Sequence, residues 1–240
     1  MDAVSTLAVP ATLRPWVAGI DVAAAKGSAA VDVPDHATTL VVRTAPGAGR
    51  ELVVMGPRTR AAYHVSEAGP SCVRIRMQPG RAQSLLGRPV RDLVDRAVPL
   101  RELPGLDVDR LARDPVGALE AVLADRRADP DLVAEAADLL TDANVAATAR
   151  RLHISERRLR TLFVDRIGLS PKHFARIDRV RTVLANARGL RLADVAATAG
   201  YYDQSHMTAE FRHLMGVSPA AFVAGRRPTA TPCGMAALTR

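Results

Sequence analysis

The sequence predicts an α+β protein in which a β-rich first half precedes an all-α second half. Short β-branched runs separated by glycine and proline fill the first hundred residues, whereas helical periodicity starts near residue 131. The chain has 240 residues, of which 48% are hydrophobic. A chain of this length and apolar content can bury a core, so it does not belong to the class of disordered proteins.

Three β-branched runs in the first half predict strands. They are residues 38–43, 50–55 and 71–77. In the last run three apolar residues alternate with Arg74 and Arg76, which is typical of a strand with one buried face and one face in water. These arginines leave two interpretations open: a site for an anionic effector, or, more simply, side chains on a solvated face.

Helices and a linker follow the strands. The stretches PGRAQSLLG and PVRDLVDRA predict short helices, and residues 108–127 predict a helix that Pro115 breaks or restarts. Residues 126–131 predict a linker. The sequence therefore divides into a β-rich domain with a helical C-terminal part (1–128), a helical domain (129–228) and a flexible tail (229–240).

The second half predicts a series of capped helices. Apolar residues at 133, 136, 137 and 140 have the spacing of an amphipathic helix, and residues 144–153 predict a short second helix. Ser155 and Asp203 are suitable N-caps for two further helices, while Ser170 and Ser218 each precede a proline at the first helical position.

Two segments of the second half repeat at an offset of 48 residues. Phe163 then falls on Phe211, and the two G-x-S-P motifs coincide, whereas Leu162 falls on Glu210 and breaks the apolar frame. In each copy an Ala-rich helix meets a tight turn and then a helix with polar residues near its start. This order predicts a helix-turn-helix unit, in which small residues such as Ala149 and Ala197 let two helices cross closely.

The positive charge of the chain is localised. The net charge is +8, and residues 150–188 alone contain eleven Lys or Arg against three acids. This distribution indicates contact with a polyanion, although a solvated basic helix face remains the alternative.

The second half resembles the DNA-binding domain of AraC/XylS-type transcriptional regulators. The likeness covers residues 131–228 and is carried by SERRLRTLFVDRIGLSPKHFARIDRVRTVL and AATAGYYDQSHMTAEFRHLMGVSPAAF, with Met207 where the family usually has an aromatic residue or Leu. It implies two helix-turn-helix units joined by a linker helix. A linker of about 18 residues would be about 27 Å long, which suits two recognition helices about 34 Å apart in successive major grooves.

The resemblance also assigns roles to side chains at matching positions. It places against bases Arg157, Arg160 and Thr161 of the first unit and Gln204, Ser205 and Thr208 of the second. It places on phosphates Arg158, Arg176, Arg179 and the helix N-termini capped by Ser170 and Ser218. Arginine matches the two acceptors of guanine and glutamine matches adenine, so these residue types suit base reading.

For the first half, residues 30–104 resemble the β-rich N-terminal region of a subset of these regulators. The resemblance implies a cupin-like domain for ligand sensing or dimerisation. The implied partners are operator or promoter double-stranded DNA, with RNA polymerase, a small-molecule effector and a second copy of the chain left open.

Other function classes are disfavoured by what the sequence lacks. His36 and His64 do not form a metal-binding cupin motif, and no nucleophile motif is recognisable, so we expect no enzyme, no cofactor and no metal. No apolar run approaches the roughly 18 residues of a membrane span, and the N-terminus lacks a secretory pattern, so a cytoplasmic location is expected. Two alternatives stay open: a non-specific architectural DNA-binding protein, and an enzyme that its helices recruit to DNA.

Overall fold

A computed structural model describes residues 3–26, 29–45, 49–65, 68–99, 107–124, 126 and 131–232. The α+β class is confirmed, with a β-rich domain before an all-α domain. The elements of the first domain are β1 (Ala3–Leu7), β2 (Val17–Lys26), β3 (Ala29–Asp32), β4 (Thr39–Ala45), β5 (Gly49–Met55), β6 (Ala62–Val65), β7 (Ala68–Met77), α1 (Ala82–Leu86), a 3-10 turn (Val90–Leu93), β8 (Ala97–Pro99), α2 (Val108–Arg113) and α3 (Pro115–Leu123).

Six of these strands form one sheet in the order β1-β2-β7-β4-β5-β8, in which all neighbours are antiparallel. The three predicted strands correspond to β4, β5 and β7 and are confirmed. β2 was not predicted, because its sequence, VAGIDVAAAK, is rich in residues of low β propensity. Its pairing with β7 and the complete burial of Ile20 stabilise it as a strand.

The first core lies between this sheet and the helices that follow it. Leu13, Ile20 and Ile75 are buried there together with Leu119 of α3. The predicted interruption at Pro115 is confirmed: α2 ends before it and α3 begins with it. The Asp114 carboxylate caps α3 by accepting a hydrogen bond from the Gly117 amide at 3.0 Å.

The second domain is helical, as predicted. Its elements are α4 (Leu132–Asp142), α5 (Val145–Arg151), α6 (Glu156–Arg166), α7 (Pro171–Asn186), α8 (Leu192–Thr198), α9 (Gln204–Met215), α10 (Pro219–Val223) and the short strand β9 (Thr231–Pro232). The linker helix α7 has 16 residues, which corresponds to about 24 Å. Its buried residues Ile177, Val180 and Val183 lie at the centre of a second core.

Two separate cores support a division of the chain near residue 128, but residues 127–130 lie outside the described part, so the boundary stays a prediction. The second core extends into the first domain, since Val31, Val33 and Ala61 pack against it. Of the predicted tail, residues 233–240 are not described. The part before them forms β9, which pairs with β6 in a second, three-stranded sheet, β3-β6-β9.

Candidate nucleic-acid interface

Each helix-turn-helix unit is built around a turn in which one residue has a positive φ angle. In the first unit this residue is His153 (φ 53°), and in the second it is Gly200 (φ 71°). The turn in each unit is closed by a backbone hydrogen bond, from Ile154 to Ala149 at 3.0 Å and from Tyr201 to Ala196 at 2.9 Å. The two turns therefore correspond at an offset of 47 residues, one fewer than the repeat seen in the sequence.

One extra residue between the turn and the following N-cap explains this change of offset. Ser155 and Asp203 are 48 apart, and both cap their helices as predicted, accepting amide hydrogen bonds at 3.1 Å and 2.7 Å. The expectation for Ala197 is wrong: this residue is exposed, and Ala196 is the buried counterpart of Ala149. Aligning the two units at a uniform offset of 48 misplaces every residue before the inserted one by one position.

The first recognition helix, α6, places its predicted DNA-binding side chains on one exposed surface. Arg157, Arg158, Arg160 and Thr161 are all exposed, whereas Leu159 on the opposite side is buried. The first turn of α6 also carries the partial positive charge of a helix N-terminus, which adds to the attraction for an anion. This surface can present several guanidinium groups to a duplex at once.

The second recognition helix, α9, presents a different and uncharged set of side chains. Gln204 and Ser205 are exposed and Thr208 is half-buried, while Met207 and Phe211 are buried against the second core. The first helix thus offers arginines, and the second offers amide and hydroxyl groups. Direct base contacts by the two helices would differ in chemistry accordingly.

Glu210 joins the second recognition helix to the linker helix. Its carboxylate accepts hydrogen bonds from Arg176 Nε at 2.8 Å, from Arg179 Nη2 at 2.9 Å and from the Tyr201 hydroxyl at 2.9 Å. Burial alone would raise the pKa of Glu210, but the bonds from Arg179 and Tyr201 outweigh burial and lower this pKa below its ordinary value. Burial and the Glu210 carboxylate together raise the pKa of Tyr201. Glu210 is therefore ionised and Tyr201 is neutral at neutral pH.

The hydrogen-bond network of Glu210, Arg176, Arg179 and Tyr201 includes the two linker-helix arginines that were predicted to contact phosphates. Arg176 and Arg179 share one carboxylate, so one positive charge remains in surplus at this surface. Ser170 and Ser218 cap α7 and α10, accepting amide hydrogen bonds at 3.2 Å and 3.3 Å. The capping roles are confirmed, whereas the phosphate contacts of these four residues stay predictions.

Comparison with known proteins bears on this half of the chain. Residues 148–225 match a family model described as a helix-turn-helix domain. The second half of the chain therefore contains a helix-turn-helix domain. We call it the AraC-type domain, after the family that its sequence resembles. An uncharacterised HTH-type transcriptional regulator of Escherichia coli (strain K12), YidL, is 33% identical over 81 residues, which are 32% of this chain and 27% of the relative. The match thus spans about a quarter of the relative's length.

Solved structures show similar chains. The DNA-binding domain of AdpA, a global transcriptional factor, in complex with a target DNA is 26% identical, with a TM-score of 0.35, over 39% of this chain and 87% of that one. ToxT from Vibrio cholerae is 11% identical, with a TM-score of 0.46, over 85% of this chain and 97% of that one.

The AraC-type domain is held against the first domain along one face of its linker helix. Phe174, Asp178 and Arg181 lie on this face at i, i+4 and i+7. The His36 ring packs on Phe174 with centroids 4.1 Å apart, and His36 Nε2 is 3.7 Å from Asp178. Arg181 is 3.3 Å from Asp35. Sequence reasoning did not identify this face, because its partners are distant in the chain.

Both recognition helices of the AraC-type domain also touch the first domain near their C-terminal ends. Asp165 of α6 forms an ion pair with Arg91. At the end of α9, the carbonyl of Leu214 accepts from the Ala61 amide at 2.8 Å, and that of Met215 accepts from the Tyr63 hydroxyl at 2.7 Å. The first domain therefore contacts both units as well as the helix between them.

Two other features are absent from the described residues, a metal-binding cluster and a membrane-spanning helix. No group of three or more His, Cys, Asp or Glu side chains in that part of the chain could hold a metal ion. Within the same residues, no helix has the length and apolar character of a membrane span.

Proposed function

We propose that the protein is a sequence-specific DNA-binding transcription regulator whose two recognition helices read successive major grooves. The observation that carries the proposal is the pairing of α6 and α9 on one linker helix, each with a capped N-terminus and exposed polar side chains in its first turns. A helix-turn-helix unit contacts base edges with those N-terminal residues. The proposed place of action is the cytoplasm of a bacterial cell.

The proposed base-reading residues divide between the two helices. On α6 they are Arg157, Arg160 and Thr161, and on α9 they are Gln204, Ser205 and Thr208. The exposure of the arginines supports their role, since bidentate contact with guanine requires a guanidinium group that is free to leave the protein surface. Arg158 and the N-termini at Ser170 and Ser218 are proposed to contact phosphates, which fix register without reading sequence.

Selection of binding sites from a randomised duplex library tests the proposal. We expect the full chain to enrich a site with two half-sites, and Arg160→Ala to lose about 1–3 kcal/mol at one base position while binding the other half-site normally. Arg188→Ala is the matched control, because Arg188 is an exposed arginine of the same basic segment that lies beyond the linker helix. Indistinguishable preferences for the two variants would contradict the assignment of Arg160 to bases.

The excess of basic residues around α6 favours one alternative, a non-specific architectural DNA-binding protein. The salt dependence of binding is similar for both functions, because both depend on phosphate contacts. The ratio of affinities for the selected site and random duplex decides between them. A regulator is expected to prefer its site by roughly 10³-fold or more, and a ratio near one would identify the architectural protein.

A further inference from the structure

A polar cavity lies where the sheet of the first domain meets the linker helix of the AraC-type domain. Its volume is about 200 Å³. Four arginines and three aspartates line it, which leaves a surplus of one positive charge. These charged residues include Arg58, Arg74, Arg76, Arg181, Asp32 and Asp35.

One side of the cavity is an ion cluster around Asp35. Arg76 binds Asp35 through two hydrogen bonds of 2.7 Å and 3.2 Å, and Arg181 of α7 approaches the same carboxylate at 3.3 Å. Burial alone would raise the pKa of Asp35, but the bond and charge of Arg76, followed by the charge of Arg181, hold this pKa well below its ordinary value. Asp35 is therefore a fixed anion that anchors the linker helix to the sheet.

On the other side of the cavity, the ion-pair contacts of Arg58 and Arg74 are long. Asp32 is their acid, yet it is 3.5 Å from Arg74 Nη2 and 3.8 Å from Arg58 Nη2. Charge-assisted bonds between nitrogen and oxygen are normally about 2.7–2.9 Å long. Arg74 Nε is buried and has no hydrogen-bond partner among the described residues. An unsatisfied buried donor destabilises a folded protein, so an added acceptor here would stabilise it.

The alternation of β7 brings these arginines together. Ile75 and Met77 enter the first core, as predicted, and Arg74 and Arg76 point to the opposite face. That face is partly solvated, as expected from the sequence, but β3 and the linker helix also supply the facing residues Asp32 and Arg181. The Arg74 and Arg76 side chains are 43% and 26% exposed, so a solute can reach them from water, whereas the Nε atom of Arg74 is buried.

We propose that this cavity binds a small anion of the carboxylate or phosphate class, held by Arg58 and Arg74 of the first domain and by Arg181 of the linker helix. The surplus positive charge selects an anion. The volume selects a compact one, since pockets for drug-sized ligands occupy about 300–1,000 Å³. Because Arg181 belongs to the AraC-type domain, the bound anion adds a contact between the two domains.

Isothermal titration calorimetry of the full chain tests the site, with inorganic phosphate and succinate as the two probes and sodium chloride at matched ionic strength as the blank. We expect saturable binding of at least one probe, and the stronger of the two identifies the phosphate or the carboxylate class. Arg74→Gln should weaken binding by about tenfold or more, which corresponds to at least about 1.4 kcal/mol. Arg43→Gln is the matched control, because Arg43 pairs with Glu51 outside the cavity.

Two outcomes would overturn the site. One is that neither probe saturates at concentrations up to roughly 10 mM, and the other is that Arg74→Gln and Arg43→Gln bind the probes equally well. If Arg74→Gln does not fold, Arg181→Gln carries the same expectation from the other domain. The measurement contains no DNA, so its failure leaves the proposed regulator function untouched, and a failure of site selection leaves the anion site untouched.

Discussion

Replacing Glu210 by glutamine tests whether its ion network holds the second recognition helix to the linker helix. Glutamine keeps the shape of the side chain but removes the charge that Arg176 and Arg179 share. Breaking a buried ion pair by removing one partner costs about 3–5 kcal/mol. The arginine side chains here are 25% and 30% exposed, so water replaces part of what they lose. We therefore expect Glu210→Gln to lower the free energy of unfolding by about 2–3 kcal/mol.

The difference in unfolding free energy between wild type and Glu210→Gln should depend on pH. The pKa of Glu210 is lowered in the folded protein, so its contribution to stability is complete above the ordinary value of 4.5 and is lost as the pH falls through the folded value. Glutamine does not titrate. The gap between wild type and Glu210→Gln is thus expected to be constant near neutral pH and to shrink progressively below about pH 4.5.

Urea unfolding followed by far-ultraviolet circular dichroism measures this gap, because most helical residues belong to the second domain. The matched control is Asp138→Asn, which removes an exposed acid from α4 and should change stability by no more than about 0.5 kcal/mol. If Glu210→Gln behaves like this control, or if the gap persists unchanged in acid, the network does not hold the helices together.

Three further changes follow from the same geometry. Gly168 has a φ angle of 85°, and a Cβ there would lie 2.8 Å from a methyl carbon of Val94. Gly168→Ala should therefore lower the free energy of unfolding in urea by about 1–3 kcal/mol. Gly189→Ala, where a Cβ would meet open space, should lower it far less, and equal losses in the two variants would refute the clash. Ser155→Ala should cost about 1 kcal/mol of stability through the lost cap, and Ser155→Asp should restore it; a fully stable alanine variant would show that the cap contributes nothing. Arg179→Ala should weaken binding to all duplexes alike and flatten the salt dependence; a salt slope equal to that of wild type would remove Arg179 from the phosphate contacts.

Features fixed by chemistry within one turn of chain could be predicted from the sequence. The caps at Ser155, Ser170 and Asp203 are examples, because each side chain bonds an amide three residues away. The break in the repeat at Glu210 was also visible, although its meaning was not. A buried acid is tolerable only with cationic partners, and those partners come from a different helix.

Features fixed by contacts between distant segments could not be predicted. β2 is a strand because β7 pairs with it, and the second face of β7 is partly covered because Arg181 of the linker helix lies opposite it. Alternation of residue types shows that a strand has two faces, but it does not show what lies against the polar one. For the same reason the contact between Arg181 and Asp35 left no local signal in the sequence.

The distance between the two reading helices is set by more than the helix that joins them. The first domain bonds to α6 through Arg91 and to α9 through Ala61 and Tyr63. These contacts also hold the two helices at a fixed distance from each other. Substitutions of Arg91 and Tyr63, whose side chains make their bonds away from the proposed reading surface, would then change which gaps between half-sites are tolerated while leaving the preferred bases within each half-site the same.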